Sequence, residues 1–173
     1  MSRTLPEPNH GTAVVGAEML RRVCAQFATG IAIATVTGSN GQPHGLTINS
    51  FTSVSCNPPL VLICIDYRCS LLTHFRASCW FGLNVLAADQ QHLSRRFADF
   101  TGDRFESVDW LPGPQTGVPM LPGSLAHMEC CVSQVVEAGD HAVLFAEVIA
   151  AQCRPGEPLL YFGSSYRVLV PPG

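Results

Sequence analysis

Residues 44–65 read HGLTINSFTSVSCNPPLVLICI, and the fold turns on how this stretch is read. Its β-branched and aromatic content marks strand. Yet Thr47, Asn49, Ser50, Thr52, Ser53 and Ser55 crowd hydroxyl and amide groups into residues 47–55. Each such group, if buried without a hydrogen-bond partner, costs about 1–3 kcal/mol. A polar, planar ligand with several donors and acceptors would supply those partners. Alternation sends Thr47, Asn49, Phe51, Ser53 and Ser55 to one face, and Ile48, Ser50, Thr52, Val54 and Cys56 to the other. Neither face is cleanly polar. Ligand cradle and solvent-facing edge strand are therefore equally open readings of this segment alone. Asn57-Pro58-Pro59 then interrupts pairing, and the apolar run 60–65 reads as a buried strand.

Upstream, residues 17–29 place Leu20, Val23, Cys24 and Phe27 on one helix face, with Gly30 as a left-handed stop. A strand follows over 31–37, and the turn signal Gly38-Ser39-Asn40-Gly41 leads into a second strand. Downstream, Ser70 is expected to cap a short helix at 71–77 before a strand at 80–86. Asp89 is expected to cap a helix at 90–98 with Leu93 and Phe97 on one face. Residues 99–123 are rich in Gly and Pro and read as loop. Two long strands follow at about 124–137 and 141–154, joined at Gly139-Asp140, and a last strand pair lies around 158–169. In the second long strand both faces are apolar, so core, helix or another subunit is expected on each side. No repeat of 20–50 residues recurs. The pattern is mainly β: a closed β-barrel with a few peripheral helices, formed by one domain over 17–173 behind a flexible N-terminal arm, 1–16.

The composition narrows the function. The chain has 173 residues, enough for one domain with a real core, and its charged fraction is only 13% against 47% hydrophobic. So weakly charged a surface suits contact between subunits, and an oligomer is expected. A net charge of -3 without a basic run argues against nucleic acid or an anionic membrane as partner. No apolar run reaches the roughly 20 residues of a spanning helix, and the N-terminus lacks a signal-peptide pattern. A cytoplasmic location is expected. The eight cysteines include no C-x-x-C and sit mostly among apolar neighbours, as buried hydrophobes do. No zinc site is expected. All ten basic residues are arginine, which excludes a Schiff-base lysine and the Gly-Lys-Ser/Thr phosphate loop. Any basic contact to a phosphate must come from arginine, which suits bidentate recognition.

Four further groups carry possible chemistry. Arg68-Cys69-Ser70 precedes a short helix, where unpaired N–H groups can meet a phosphate, although an ordinary cap is the commoner use. Ser94-Arg95-Arg96 sits on the 90–98 helix, with the two arginines about 100° apart, so that one is normally solvated. Gly139-Asp140-His141 opens a long strand at a hairpin tip; Asp140 would favour the charged imidazole, but turn residues are often only turn residues. His127 and Glu129 share a strand face without an obvious third metal ligand, so a core or interface role is the better reading. There is no G-x-S-x-G, and no G-x-G-x-x-G after a strand, so neither serine-hydrolase nor Rossmann chemistry is indicated.

In order along the chain stand Phe27-Ala28-Thr29-Gly30, the 45–55 segment GLTINSFTSVS, Pro58-Pro59-Leu60-Val61, Asn84-Val85-Leu86, Leu93-Ser94-Arg95-Arg96-Phe97-Ala98, Asp103-Arg104-Phe105, Gly139-Asp140-His141, and Pro158-Leu159-Leu160-Tyr161 with Tyr166. This collinear set, spanning about 18–169, resembles the flavin reductase-like family with the FMN-binding split barrel. The resemblance implies a homodimeric, six-stranded split β-barrel of Greek-key type binding FMN or FAD, with NADH or NADPH as co-substrate. It implies NAD(P)H-dependent reduction of free flavin, supplied by diffusion to a partner monooxygenase. A barrel holding flavin tightly for another substrate, or a non-catalytic flavin- or haem-binding member, is the alternative. Carried over residue by residue, Thr47, Ile48, Asn49, Ser50, Ser53, Val54 and Ser55 would lie along the isoalloxazine and ribityl chain. Ser70, Ser94 and Arg95 or Arg96 would meet the phosphate, Asn84 the flavin edge, Tyr166 a wall, and His141 the nicotinamide. Family members often carry Ser-x-Ser/Thr at the phosphate turn; here Cys69-Ser70-Leu71-Leu72-Thr73 displaces the second hydroxyl.

Overall fold

The computed structural model describes residues 15–99 and 101–169, so the first fourteen residues of the expected arm lie outside it. In chain order the elements are α1 (Ala17–Cys24), β1 (Thr29–Gly30), β2 (Ala32–Thr37), β3 (Pro43–Ile48), β4 (Thr52–Cys56), β5 (Pro59–Asp66), α2 (Leu72–Ala77), β6 (Trp80–Val85), α3 (Gln91–Asp99), β7 (Leu111–Pro112), β8 (Pro119–Met120), β9 (Ala126–Ala138), β10 (His141–Cys153), β11 (Leu160–Phe162) and β12 (Ser165–Arg167). Seven strands form one antiparallel sheet in the order β3-β2-β6-β9-β10-β5-β4. Its two edge strands, β3 and β4, are consecutive in the chain and separated only by residues 49–51. So short a link forces the edges together and rolls the sheet into a barrel whose ladder does not close. The barrel is split.

This corrects the sequence reading of 47–55 as one alternating strand. The chain bends at 49–51 and supplies two strands, and the sheet has seven strands against the six that the resemblance implied. Ser50 fixes the bend: its hydroxyl donates to the Cys64 carbonyl and accepts from the Cys64 N–H, both at 3.0 Å. One side chain thereby takes the place of a ladder residue and extends the β4–β5 pairing past Thr52.

Two cores share strand β2, whose residues 32–36 are all buried. Ala32, Ala34 and Val36 face the barrel interior with Ile63, Ile65, Leu83 and Leu144, and Leu72 and Phe75 of α2 plug that interior from one end. Ile31 and Ile33 face outward onto Phe97 of α3, with Phe105, Leu121 and Leu159. Gly45 makes this second layer possible, because a Cβ there would lie 2.8 Å from the Phe97 ring. A separate small sheet, β1-β11-β12, leans beside α3. Buried polar groups tie the layers: Thr35 Oγ1 donates to the Pro119 carbonyl at 2.6 Å. The Glu129 carboxylate, on β9, takes the N–H of Gln115 and Thr116 and the Thr116 hydroxyl. Glu129 thus clamps a loop.

Other expectations shift at their ends. Helix α1 stops at Cys24, and Gly30 belongs to β1 with no left-handed turn, because nothing in the described core meets the last apolar turn. Leu71, not Ser70, sits at the α2 N-cap without a side-chain cap, and a short 3-10 turn at Ala88–Gln90 leads into α3. There the Gln90 side chain, not Asp89, accepts the Ala87 N–H. In β10 only Ala142, Leu144 and Ala146 are fully buried, while Ile149 is exposed, so the chain itself covers one face. Among the described residues no helix is long and apolar enough to cross a membrane.

Replacing Ser50 by Ala leaves the Cys64 N–H and carbonyl unpaired at the end of the β4–β5 ladder. The expected cost is about 1–2 kcal/mol of unfolding free energy, read as a lower urea midpoint at unchanged m-value.

Candidate active site

Where β3 runs out into the bend, its outer face, α3 and the β11–β12 hairpin enclose a cleft of about 900 Å³. Thr47, Ile48 and Asn49 form one wall, Ser94 and Arg95 the next, and Tyr161, Ser164, Ser165 and Tyr166 the third. The back is rigid. Thr47 Oγ1 donates to the Ser94 carbonyl at 2.7 Å, and the hydroxyls of fully buried Ser94 and of Tyr166 share a hydrogen bond of 3.0 Å. Arg95 is exposed at the mouth, its guanidinium 5.5 Å from the Tyr166 ring centre. With the Gln91 amide turned to accept, Arg95 also donates to it at 2.6 and 3.2 Å. A cation is therefore held in place at the cleft before anything binds.

Of the residues singled out from sequence, Thr47, Ile48, Asn49, Ser94, Arg95 and Tyr166 meet in this cleft. Ser50, next in the chain after Asn49, is outside the lining, with its hydroxyl bonded to Cys64. Ser53, Val54 and Ser55 lie further along β4, outside the cleft lining. Asn84 does not line the cleft. It is fully buried, donates to the Ile33 carbonyl at 3.1 Å, and accepts from the Leu121 N–H at 2.8 Å. Its amide is spent on joining β2 to the loop before β9. Arg96 likewise points away from the cleft and holds the 103–106 loop through the carbonyls of Arg104, Asp103 and Glu106. Tyr161, Gln91, Ser164 and Ser165 line the cleft without having been singled out. Tyr161 stood within a quoted motif, but short polar residues on a hairpin give no signal in sequence.

His141 opens β10 beside Asp66, the last residue of β5. From Ser50 the path runs across Cys64 of β5 to its partner Val143 on β10, and His141 lies two residues before Val143. Its Nδ1 is 2.7 Å from Asp140 Oδ1, with the side chain 40% exposed. Asp140 is thereby held below the usual carboxylate range, first by the bond to His141. Arg68 does the same more strongly to Asp66, across a 2.7 Å ion pair. This corner is acidic, and a histidine oriented by a carboxylate is what it offers a ligand. Cys130, by contrast, is no nucleophile: burial pushes its thiol up to about 12.

Ser70 lies elsewhere again, in a second cleft of about 380 Å³ with His44, Gly45, Asp103 and Arg104. Here the His44 and His74 rings stack at 4.0 Å, tilted by 17°, and His44 Nε2 is buried without a hydrogen-bond partner. Burial first, then His74, lowers the His44 pKa, while Asp103 pulls it up.

The large cleft fits a flavin by its chemistry. Alcohol and amide groups at one end match ring carbonyls and ribityl hydroxyls, and a fixed arginine matches a phosphate. Comparison with known proteins agrees. The model of the flavin reductase like domain family matches residues 24–169. The NADH:FAD oxidoreductase of Streptomyces globisporus C-1027, solved with NAD and FAD fragments, superposes with a TM-score of 0.85. It is 40% identical, covering 92% of this chain and 98% of its own. The FMN reductase (NADH) of Agrobacterium fabrum is 39% identical over 92% of this chain and 91% of its own length. The reductase subunit of a flavin-dependent monooxygenase of Rhodococcus jostii is 37% identical, over 93% and 85% respectively.

The histidine stack gives the fold a measurable pH dependence. Because folding depresses the His44 pKa, the unfolded chain binds the proton more readily as pH drops below about 6.5. The associated stability is complete above that pH and is lost as pH falls through the depressed value. The melting temperature is expected to drop between pH 7 and 5 by more in the wild type than in a His44→Phe variant, as calorimetry can measure.

Proposed function

The chain belongs to the flavin reductase-like family, and on that premise we propose that its large cleft presents free flavin to NADH and then releases it reduced. It is an NADH-dependent flavin oxidoreductase of the kind that serves as the reductase component of two-component monooxygenases. The observation that carries the reading is the cleft at the broken strand, with its alcohol and amide wall and prearranged Arg95. When bound, the flavin accepts a hydride from the nicotinamide, and that chemistry belongs to the two cofactors. The chain's part is placement. Thr47 and Asn49 hydrogen-bond the polar edge of the ring system and its side chain, and Ile48 and the backbone at Ser50 border it. Arg95 neutralises a phosphate that Ser94 and Tyr166 help to seat. His141, aimed by Asp140, orients the nicotinamide carboxamide or donates to the negative charge that builds on the reduced ring.

A second copy of the chain completes this arrangement. Helix α1 buries none of its residues, and Met19, Leu20, Val23 and Phe27 are each more than half exposed. An apolar face of that size suits a subunit interface. It adjoins the site, because the Gly163 N–H at the β11–β12 tip donates to the Ala25 carbonyl just after α1. All eight cysteines are free, which fits a reducing cytoplasm. The reduced product reaches its oxygenase by diffusion.

Purified protein is expected to be colourless and to oxidise NADH in proportion to added FMN or FAD. A yellow protein that needs no added flavin would point to the tightly bound alternative. His141→Ala is expected to lower kcat/KM for NADH about tenfold or more, some 1.4 kcal/mol in the transition state; unchanged kinetics would remove its role. Leu20→Asp with Val23→Asp is expected to halve the mass seen by light scattering.

A further inference from the structure

The two ends of the cleft differ in chemistry. On the proposed reading the ring sits at the Asn49 end, from which Ser50 and the sheet lead across Cys64 toward His141. The opposite end, under the β11–β12 hairpin, has a different character. Tyr161 and Tyr166 are partly buried and perpendicular, with ring centres 5.5 Å apart, and the Arg95 guanidinium lies over the Tyr166 ring. The hairpin turns through Gly163 and Ser164, both left-handed at φ 57° and 59°. A two-residue turn of this hand prefers Asn or Gly, so Ser164 sits where its side chain is disfavoured, at the cleft rim. Ser165 follows it, and Asp99 at the end of α3 lines the same end.

Stacking aromatic faces, a fixed guanidinium, two hydroxyls and one carboxylate form a set that matches one ligand class. A purine stacks on tyrosine and guanidinium planes. A pyrophosphate takes arginine and serine donors, and ribose hydroxyls donate to a carboxylate. We propose that the hairpin end of the cleft is an adenylate subsite, and that it makes FAD the preferred flavin over FMN. FMN ends at its single phosphate and leaves this wall without a partner. The proposal rests on the flavin reductase reading. Family membership by itself leaves the choice of flavin open, since the relatives include an FAD oxidoreductase and an FMN reductase.

NADH carries an adenylate too, so the test separates the two sources. Riboflavin, FMN and FAD are titrated into the full chain by calorimetry without NADH. FAD is expected to bind about tenfold or more tighter than FMN, the scale of one aromatic stack on a base. ADP is expected to bind the FMN-loaded protein and to be excluded from the FAD-loaded protein. Ser165→Glu, an exposed change that puts a negative charge beside the pyrophosphate, and Tyr161→Leu are each expected to bring FAD affinity down to that of FMN. Equal wild-type affinities for FMN and FAD overturn the proposal, as do variants that weaken both flavins alike. It is also overturned if NAD+, and not FAD, excludes ADP, since the wall then serves the nicotinamide dinucleotide. Failure to bind any flavin would instead sink the flavin reductase reading beneath it.

Discussion

The fold rests on a short link between two edge strands that do not pair with each other. Residues 49–51 join the edges of a seven-stranded sheet, so the sheet must roll until those edges meet. A continuous ladder would use up the backbone groups along the seam. Here one serine hydroxyl extends the β4–β5 ladder to Cys64, while β3 and β4 stay unpaired along the seam. The polarity of this segment is therefore the condition for an open edge inside a folded barrel. The same residues can then turn toward a ligand.

Much of this was legible in the sequence, and the failures have physical causes. Strand β2, the hairpin after it and the two long strands β9 and β10 stood out, because alternation and turn chemistry are local signals. The break at 49–51 did not. Alternating Thr, Asn and Ser look the same whether a strand continues or bends, and the deciding bond is made to a residue in another strand. Helix α1 shows the opposite error. Its apolar periodicity ran on to Phe27, yet the helix ends at Cys24, since no described core lies beneath it.

The site was read in part for related reasons. Thr47 to Asn49, Ser94, Arg95 and Tyr166 converge because α3 is seated on Gly45 and carries Ser94 and Arg95 to the end of β3. Arg95 and Arg96 were indistinguishable in sequence. Their separation around the helix sends one to the cleft and the other to loop carbonyls. Asn84, which the resemblance put at the flavin edge, is instead buried away from the cleft lining. A buried amide serves equally well to satisfy backbone groups that would otherwise lack partners.

The small β1-β11-β12 sheet stands apart from the barrel ladder and supplies one whole wall of the cleft. Changes at its tip touch neither the seam at Ser50 nor the interior around Ile63 and Leu144. A few hairpin positions can thus change what the cleft accepts while the scaffold stays as it is. Diversity of substrates among such barrels should accumulate at this hairpin first, with the rolled sheet as the conservative part of the inheritance.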